Sequence, residues 1–207
     1  MATSPSRSSR RLSPLLLAAA LVAAAVVGGV VGAWWAGGDD DPRPSAVDVG
    51  FLRDMIRHHD QAVEMAMLAL NNDPGAEVRG FALDVLRLQQ RERGVMEALL
   101  ARWGEPEATP DAPAMAWMGM PVPLAAMPGY QPVAALDALA EASGEDLEVR
   151  FLTMMRDHHA GGVHMAEAAA ERATLAEVRA LAERQVRVQR AEMDDYERAL
   201  EAADPPS

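Results

Sequence analysis

Phe51-Leu52-Arg53-Asp54-Met55-Ile56-Arg57-His58-His59 returns one hundred positions later as Phe151-Leu152-Thr153-Met154-Met155-Arg156-Asp157-His158-His159, and each copy continues into Val-x-Met-Ala at 63–66 and 163–166. The correspondence runs on without a gap through Glu77-Val78-Arg79 and Glu177-Val178-Arg179, then Gln89 and Gln189, Glu92 and Glu192. The chain is an internal duplication of a unit of roughly fifty residues. A unit of that size makes a helical hairpin that cannot cover its own apolar face, so the two copies are expected to fold against each other as one domain. All five histidines, His58, His59, His158, His159 and His164, lie inside the repeated segments. The side chain best suited to bind metals or move protons near neutral pH is therefore confined to them.

Working outward, turn formers and prolines punctuate long helical stretches. The first helix is expected from about Ala46 to Leu70, stopped by Asn71-Asn72-Asp73-Pro74-Gly75, and the second from about Ala76 to Trp103, ending at Gly104. A short helix over Val133–Glu141 follows an irregular segment. Ser143-Gly144-Glu145 opens a third long helix to about Arg172, and a fourth runs from about Leu175 to Ala202. No stretch has the alternation of a strand, so the fold class is all-α, a bundle of four helices built from two hairpins. Its boundaries are repeat one over 46–103, a Met- and Pro-rich linker over 104–144 and repeat two over 145–202, preceded by a spacer over 39–45.

Residues 1–38 are not domain material. Arg7, Arg10 and Arg11 precede an uncharged stretch from Leu15 to Gly38. Such a segment is an export signal or an N-terminal membrane anchor, with the remainder facing outside the cytoplasm. The chain has no cysteine, so no disulfide or thiolate site is available. Without the three leader arginines, the 19 basic residues fall to 16 against 31 acidic ones, which argues against a nucleic-acid partner.

At about 100° per residue, Phe51, Met55, His59, Ala62 and Ala66 share one face of the first helix, and Phe151, Met155, His159, Gly162 and Ala166 repeat it. His58 with Met65, and His158 with Met165, fall along one edge of that face. The spacing therefore predicts that His59 and His159 point deeper than His58 and His158, while His164 points away. Each copy places two imidazoles and two thioethers on or beside a buried stripe. Soft thioether and borderline imidazole suit copper, particularly Cu(I), better than calcium or magnesium. The alternative is that the methionines fill the core and the histidines are hydrogen-bonded within it. Gln89 with Glu92, and Gln189 with Glu192, sit three apart and could hold the imidazoles of the preceding helix, or could form solvated surface pairs.

In the linker, Met115, Met118, Met120 and Met127 cluster with Trp117 among prolines. They are auxiliary metal candidates, as is His164, or an adaptable apolar cover. No Glu-x-x-His, His-Glu-x-x-His, Gly-x-Ser-x-Gly or phosphate-binding glycine loop is present, so di-iron, hydrolytic and nucleotide chemistry are disfavoured.

With its doubled Met-x-x-His-His and Met-Ala pattern, and Met127-Pro128-Gly129 ahead of the second copy, the chain over about 46–202 resembles the family called domain of unknown function 305. That resemblance implies a ferritin-like four-helix bundle, commonly exported, some of whose members bind copper and contribute to copper tolerance. It implies Met55, His58, His59, Met65, Met155, His158, His159 and Met165 as ligands. The expected function is extracytoplasmic copper sequestration or transfer, with copper-handling proteins of the envelope as partners. A structural or interaction bundle is the alternative, and a metal-dependent oxidoreductase a third reading. The second copy departs from the pattern at Gly161-Gly162, where adjacent glycines weaken the helix or admit a close neighbour.

Overall fold

Ser45 starts the first helix by a reciprocal cap: its side chain accepts from the Asp48 amide while the Asp48 carboxylate accepts from the Ser45 backbone at 2.8 Å. The structure is a computed structural model and describes residues 43–203. The leader expected over 1–38, and most of the spacer, lie outside the described residues.

Five helices follow: α1 (Ala46–Asn71), α2 (Ala76–Trp103), α3 (Val133–Glu141), α4 (Gly144–Arg172) and α5 (Ala176–Ala203). These bounds lie within one residue of those the punctuation predicts. The linker contributes two single 3₁₀ turns, Ala116–Met118 and Leu124–Ala126, and an isolated antiparallel bridge between Ala114 and Val122; the described residues contain no strand. No described helix is long and apolar enough to cross a membrane.

Each hairpin packs internally, α1 on α2 and α4 on α5, and the two meet along α1 and α4. These central helices are antiparallel. Phe51, Leu52 and Met55 from the start of α1 share one hydrophobic cluster with Met165, Ala166 and Ala169 from the end of α4. Ala62, Met65 and Ala66 share the other with Leu147, Phe151 and Met155. The linker and α3 rest on the α1 and α4 pair, closing one end with Met115, Trp117 and Met127 and the other with Leu136 and Leu139.

The hairpins also cap each other's turns. Asp48 accepts from the backbone amide of Leu175 at 3.0 Å, before α5, and the equivalent Glu148 accepts from Gly75 at 2.8 Å, before α2. Burial alone would raise the Asp48 carboxyl, but hydrogen bonds from Ser45, Leu175 and Thr174 outweigh it and hold it below its ordinary value.

Candidate metal centre

On an α-helix neighbouring residues point about 100° apart, so His58 and His59 cannot face the same partner. His58 faces α4. Its ring stacks on His158 with centroids 3.6 Å apart and planes inclined by 29°. His59 faces α2, where its Nε2 donates to Glu92 Oε2 at 3.0 Å, and His159 repeats this with Glu192 Oε2 on α5 at 2.8 Å. All four imidazoles are fully buried. The expectation that His58 and His158 lie on an edge, shallower than His59 and His159, is therefore corrected. A single-helix stripe cannot register that α1 and α4 each have two covered flanks, and the supposed edge of one helix is where the other lands.

The two pairs differ in how their nitrogens are satisfied. His59 and His159 each place Nε2 on a carboxylate, and each Nδ1 is buried with no partner. Neither nitrogen of His58 or His158 has a hydrogen-bond partner. Backbone groups of Pro128 and His158 approach the His58 ring, and the His58 backbone approaches the ring of His158, none within full hydrogen-bond geometry. Burial pushes both central imidazoles well below their ordinary value of 6.5, and the neighbouring histidines add to the shift. They are neutral and carry free lone pairs at neutral pH.

Glu92 is the more heavily engaged carboxylate. It also accepts from Gln185 Nε2 at 2.9 Å and pairs with Arg184 at 3.3 Å, across from the other hairpin. Burial raises its carboxyl, but the His59 and Gln185 hydrogen bonds and the Arg184 charge together hold it below its ordinary value. Gln89 and Gln189, at 4 % and 2 % exposure, are buried and bond to no imidazole, which removes the solvated-pair reading for them.

The methionines flank this centre along the helices. Met55 and Met165 lie in the cluster at one end, Met65 and Met155 in that at the other, all fully buried. One methionine of each copy thus stands on each side of the histidines. Met115 and Met127 join Met55 and Met165, while Met118 is half-buried, Met120 is 51 % exposed and His164 lies on the outer surface. The auxiliary candidates Met118, Met120 and His164 are not brought to the centre. Among the described residues no three histidine, cysteine or acidic side chains converge to hold an ion by themselves. An ion at the central pair would need further donors, and the buried residues along the same helices offer thioethers and amides, a donor set that fits copper and not calcium or magnesium.

The glycines of the second copy are a close-approach site. A methyl group on Gly161 would fall 2.1 Å from the Pro128 carbonyl oxygen, and one on Gly162 would fall 2.3 Å from Gln189 Oε1. The linker backbone and a buried carboxamide occupy the room that side chains would take. Two residues that hold the linker carried no sequence signal. Asp54 Oδ2 accepts from the Met115 amide at 2.7 Å and Trp117 Nε1 at 2.9 Å, and Gln61 exchanges two hydrogen bonds with the Gln131 backbone, at 2.6 and 2.9 Å.

The family model for the domain of unknown function DUF305 matches residues 48–200, and the chain belongs to that family. A DUF305 protein from Streptomyces coelicolor, described among secreted proteins, is 37% identical, with a TM-score of 0.71 over 76% of this chain and 94% of its own. A DUF305 fragment from Deinococcus radiodurans is 32% identical, with a TM-score of 0.67 over 77% and 98%. CopM in its Cu(I)-bound form is 27% identical, with a TM-score of 0.55 over 75% and 96%, and CopM structures with Cu(II) and with silver also match. A search of curated protein sequences returns no match.

Proposed function

We propose that this DUF305 protein is an extracytoplasmic copper-binding protein that sequesters or transfers the ion without catalysing a reaction. Its ligands are drawn from Met55, His58, His59 and Met65 together with Met155, His158, His159 and Met165. The observation that carries the reading is the His58–His158 stack, two fully buried neutral imidazoles without a hydrogen bond on any of their four nitrogens. A buried polar group left unpaired costs about 1 to 3 kcal/mol, so a core that served packing alone would gain by replacing the pair with apolar rings. A metal ion supplies the missing partner. The flanking thioethers make that ion soft, and the likeness to CopM, whose structures hold Cu(I), Cu(II) and silver, supports the same class.

A structural role fits His59 and His159 in part. Their carboxylate partners tie α1 to α2 and α4 to α5 and fix the tautomer, which also aims each Nδ1 lone pair. Met115 and Met127, buried beside Met55 and Met165, could extend the thioether set. Copper-handling proteins of the envelope are the natural partners, with residues 1–38 directing export or anchoring to the membrane. The test is bound-metal analysis after exposing purified protein to equal copper, zinc and iron. Preferential retention of copper is expected, and retention of none, or of zinc over copper, would contradict the reading.

A further inference from the structure

Gln189 is the most thoroughly unpartnered polar side chain beside the histidines. It is 2 % exposed, and neither its Oε1 nor its Nε2 has a hydrogen bond. A methyl group placed on Gly162 would lie 2.3 Å from Gln189 Oε1 and 3.1 Å from His58 Cε1, so the carboxamide and the imidazole meet across the glycine. The first copy lacks this arrangement: Ala62 stands where the second has Gly162, and of the Gln89 amide only Oε1 is both fully buried and without a partner. Glycine inside a helix is destabilising, and so is a buried amide with no partner. The second copy accepts both to seat Gln189 against His58.

We infer that the Gln189 carboxamide is an oxygen donor to the ion, and that it lets the histidine pair hold Cu(II) as well as Cu(I). This rests on the copper reading above. Imidazole and thioether satisfy Cu(I), whereas Cu(II) favours nitrogen and oxygen donors. A neutral amide supplies oxygen without adding a charge to a buried site, and rotation about its terminal bond can present either atom to the ring.

The experiment compares Cu(II) and Ag(I) binding, silver standing for the soft monovalent ion, in the wild type, Gln189→Leu and Gln189→Glu. Gln189→Leu is expected to weaken Cu(II) by about tenfold or more while Ag(I) changes by less than about threefold. The Cu(II) electron paramagnetic resonance spectrum should change in parallel. Gln189→Glu retains an oxygen at the same reach and should hold Cu(II) at least as tightly as the wild type. If Gln189→Leu does not fold, Gln189→Glu decides alone, and a Cu(II) loss there beyond about threefold overturns the inference. Equal losses for both ions, or none for either, overturn it while leaving the copper site in place. Binding of both ions that survives His58→Phe with His158→Phe overturns the site itself, and the role of Gln189 with it.

Discussion

Position by position, the two copies keep the same histidines, flanking methionines and helix-partner Gln and Glu at the centre, and differ most where they face the linker. His58, His59, Met55, Met65, Gln89 and Glu92 are matched by the same residue types one hundred positions on. Asp54, Arg57 and Gln61 are matched by Met154, Asp157 and Gly161. In the first copy those three hold the linker by polar contacts: Asp54 takes the Met115 and Trp117 donors, Arg57 donates to the Ala112 carbonyl at 2.7 Å, and Gln61 brackets Gln131. In the second copy Met154 packs in the cluster that contains Leu136 and Leu139 of α3, and Gly161 gives way to Pro128. A single linker covers two equivalent faces with its two unlike halves, so the faces diverged to suit it. At the centre His58 and His158 face each other across the two copies, and the histidines and their carboxylates remained paired.

The largest expected effect lies at Asp54. Asp54 also forms an ion pair with Arg57; replacing it with alanine removes that charge partner, leaving Arg57 only its Ala112 hydrogen bond, strands the buried Met115 and Trp117 donors, and should cost about 4 kcal/mol in denaturant unfolding. Met154→Leu at the matching position should cost less than about 1.5 kcal/mol. Equal losses at the two positions would break the comparison.

Gly161→Ala comes next, because its methyl group would strike the Pro128 backbone. A loss of about 2 to 3 kcal/mol is expected. At the exposed helical glycine Gly94 an added methyl group would meet nothing within 4 Å, so Gly94→Ala should instead stabilise by about 0.5 to 1 kcal/mol, the smallest effect of the set and of opposite sign. The same unfolding curves measure both.

Between these lies the pH dependence. The central histidines have native values below 6.5, so the unfolded chain binds more protons as acid is added. Stability is complete above about 6.5 and declines as pH falls below it. Glu92, also held below its ordinary 4.5, contributes stability that is present above that value and lost beneath it. Unfolding midpoints across pH should therefore show two stages of loss. His58→Phe with His158→Phe should remove the first stage and keep the second, whereas Glu92→Gln should blunt the second alone.

These features were unequally legible in the sequence. Helix bounds were readable because Pro74, Gly104 and Ser143 mark chain breaks whose chemistry is local. The Glu92 and Glu192 contacts with His59 and His159 were approachable too, since helical spacing sets candidates on facing stripes. The linker path was not readable. Its irregular backbone has no period, and Asp54, one charged residue among several on α1, looks like any solvated carboxylate until the Trp117 indole is seen to reach it. His58 was misplaced for a related reason: one helix's periodicity reports one face, and the central pair exists only where two helices cross.

The measurement that tests the central claim most directly is a competitive Cu(I) titration of the wild type and of His58→Phe with His158→Phe, alongside unfolding of both metal-free proteins. Phenylalanine keeps flat rings at the crossing and removes the unpaired nitrogens. The copper-site account predicts that the metal-free variant is at least as stable as the wild type, while its Cu(I) affinity falls by about a hundredfold or more. A variant that folds as well and binds Cu(I) as tightly as the wild type would contradict it.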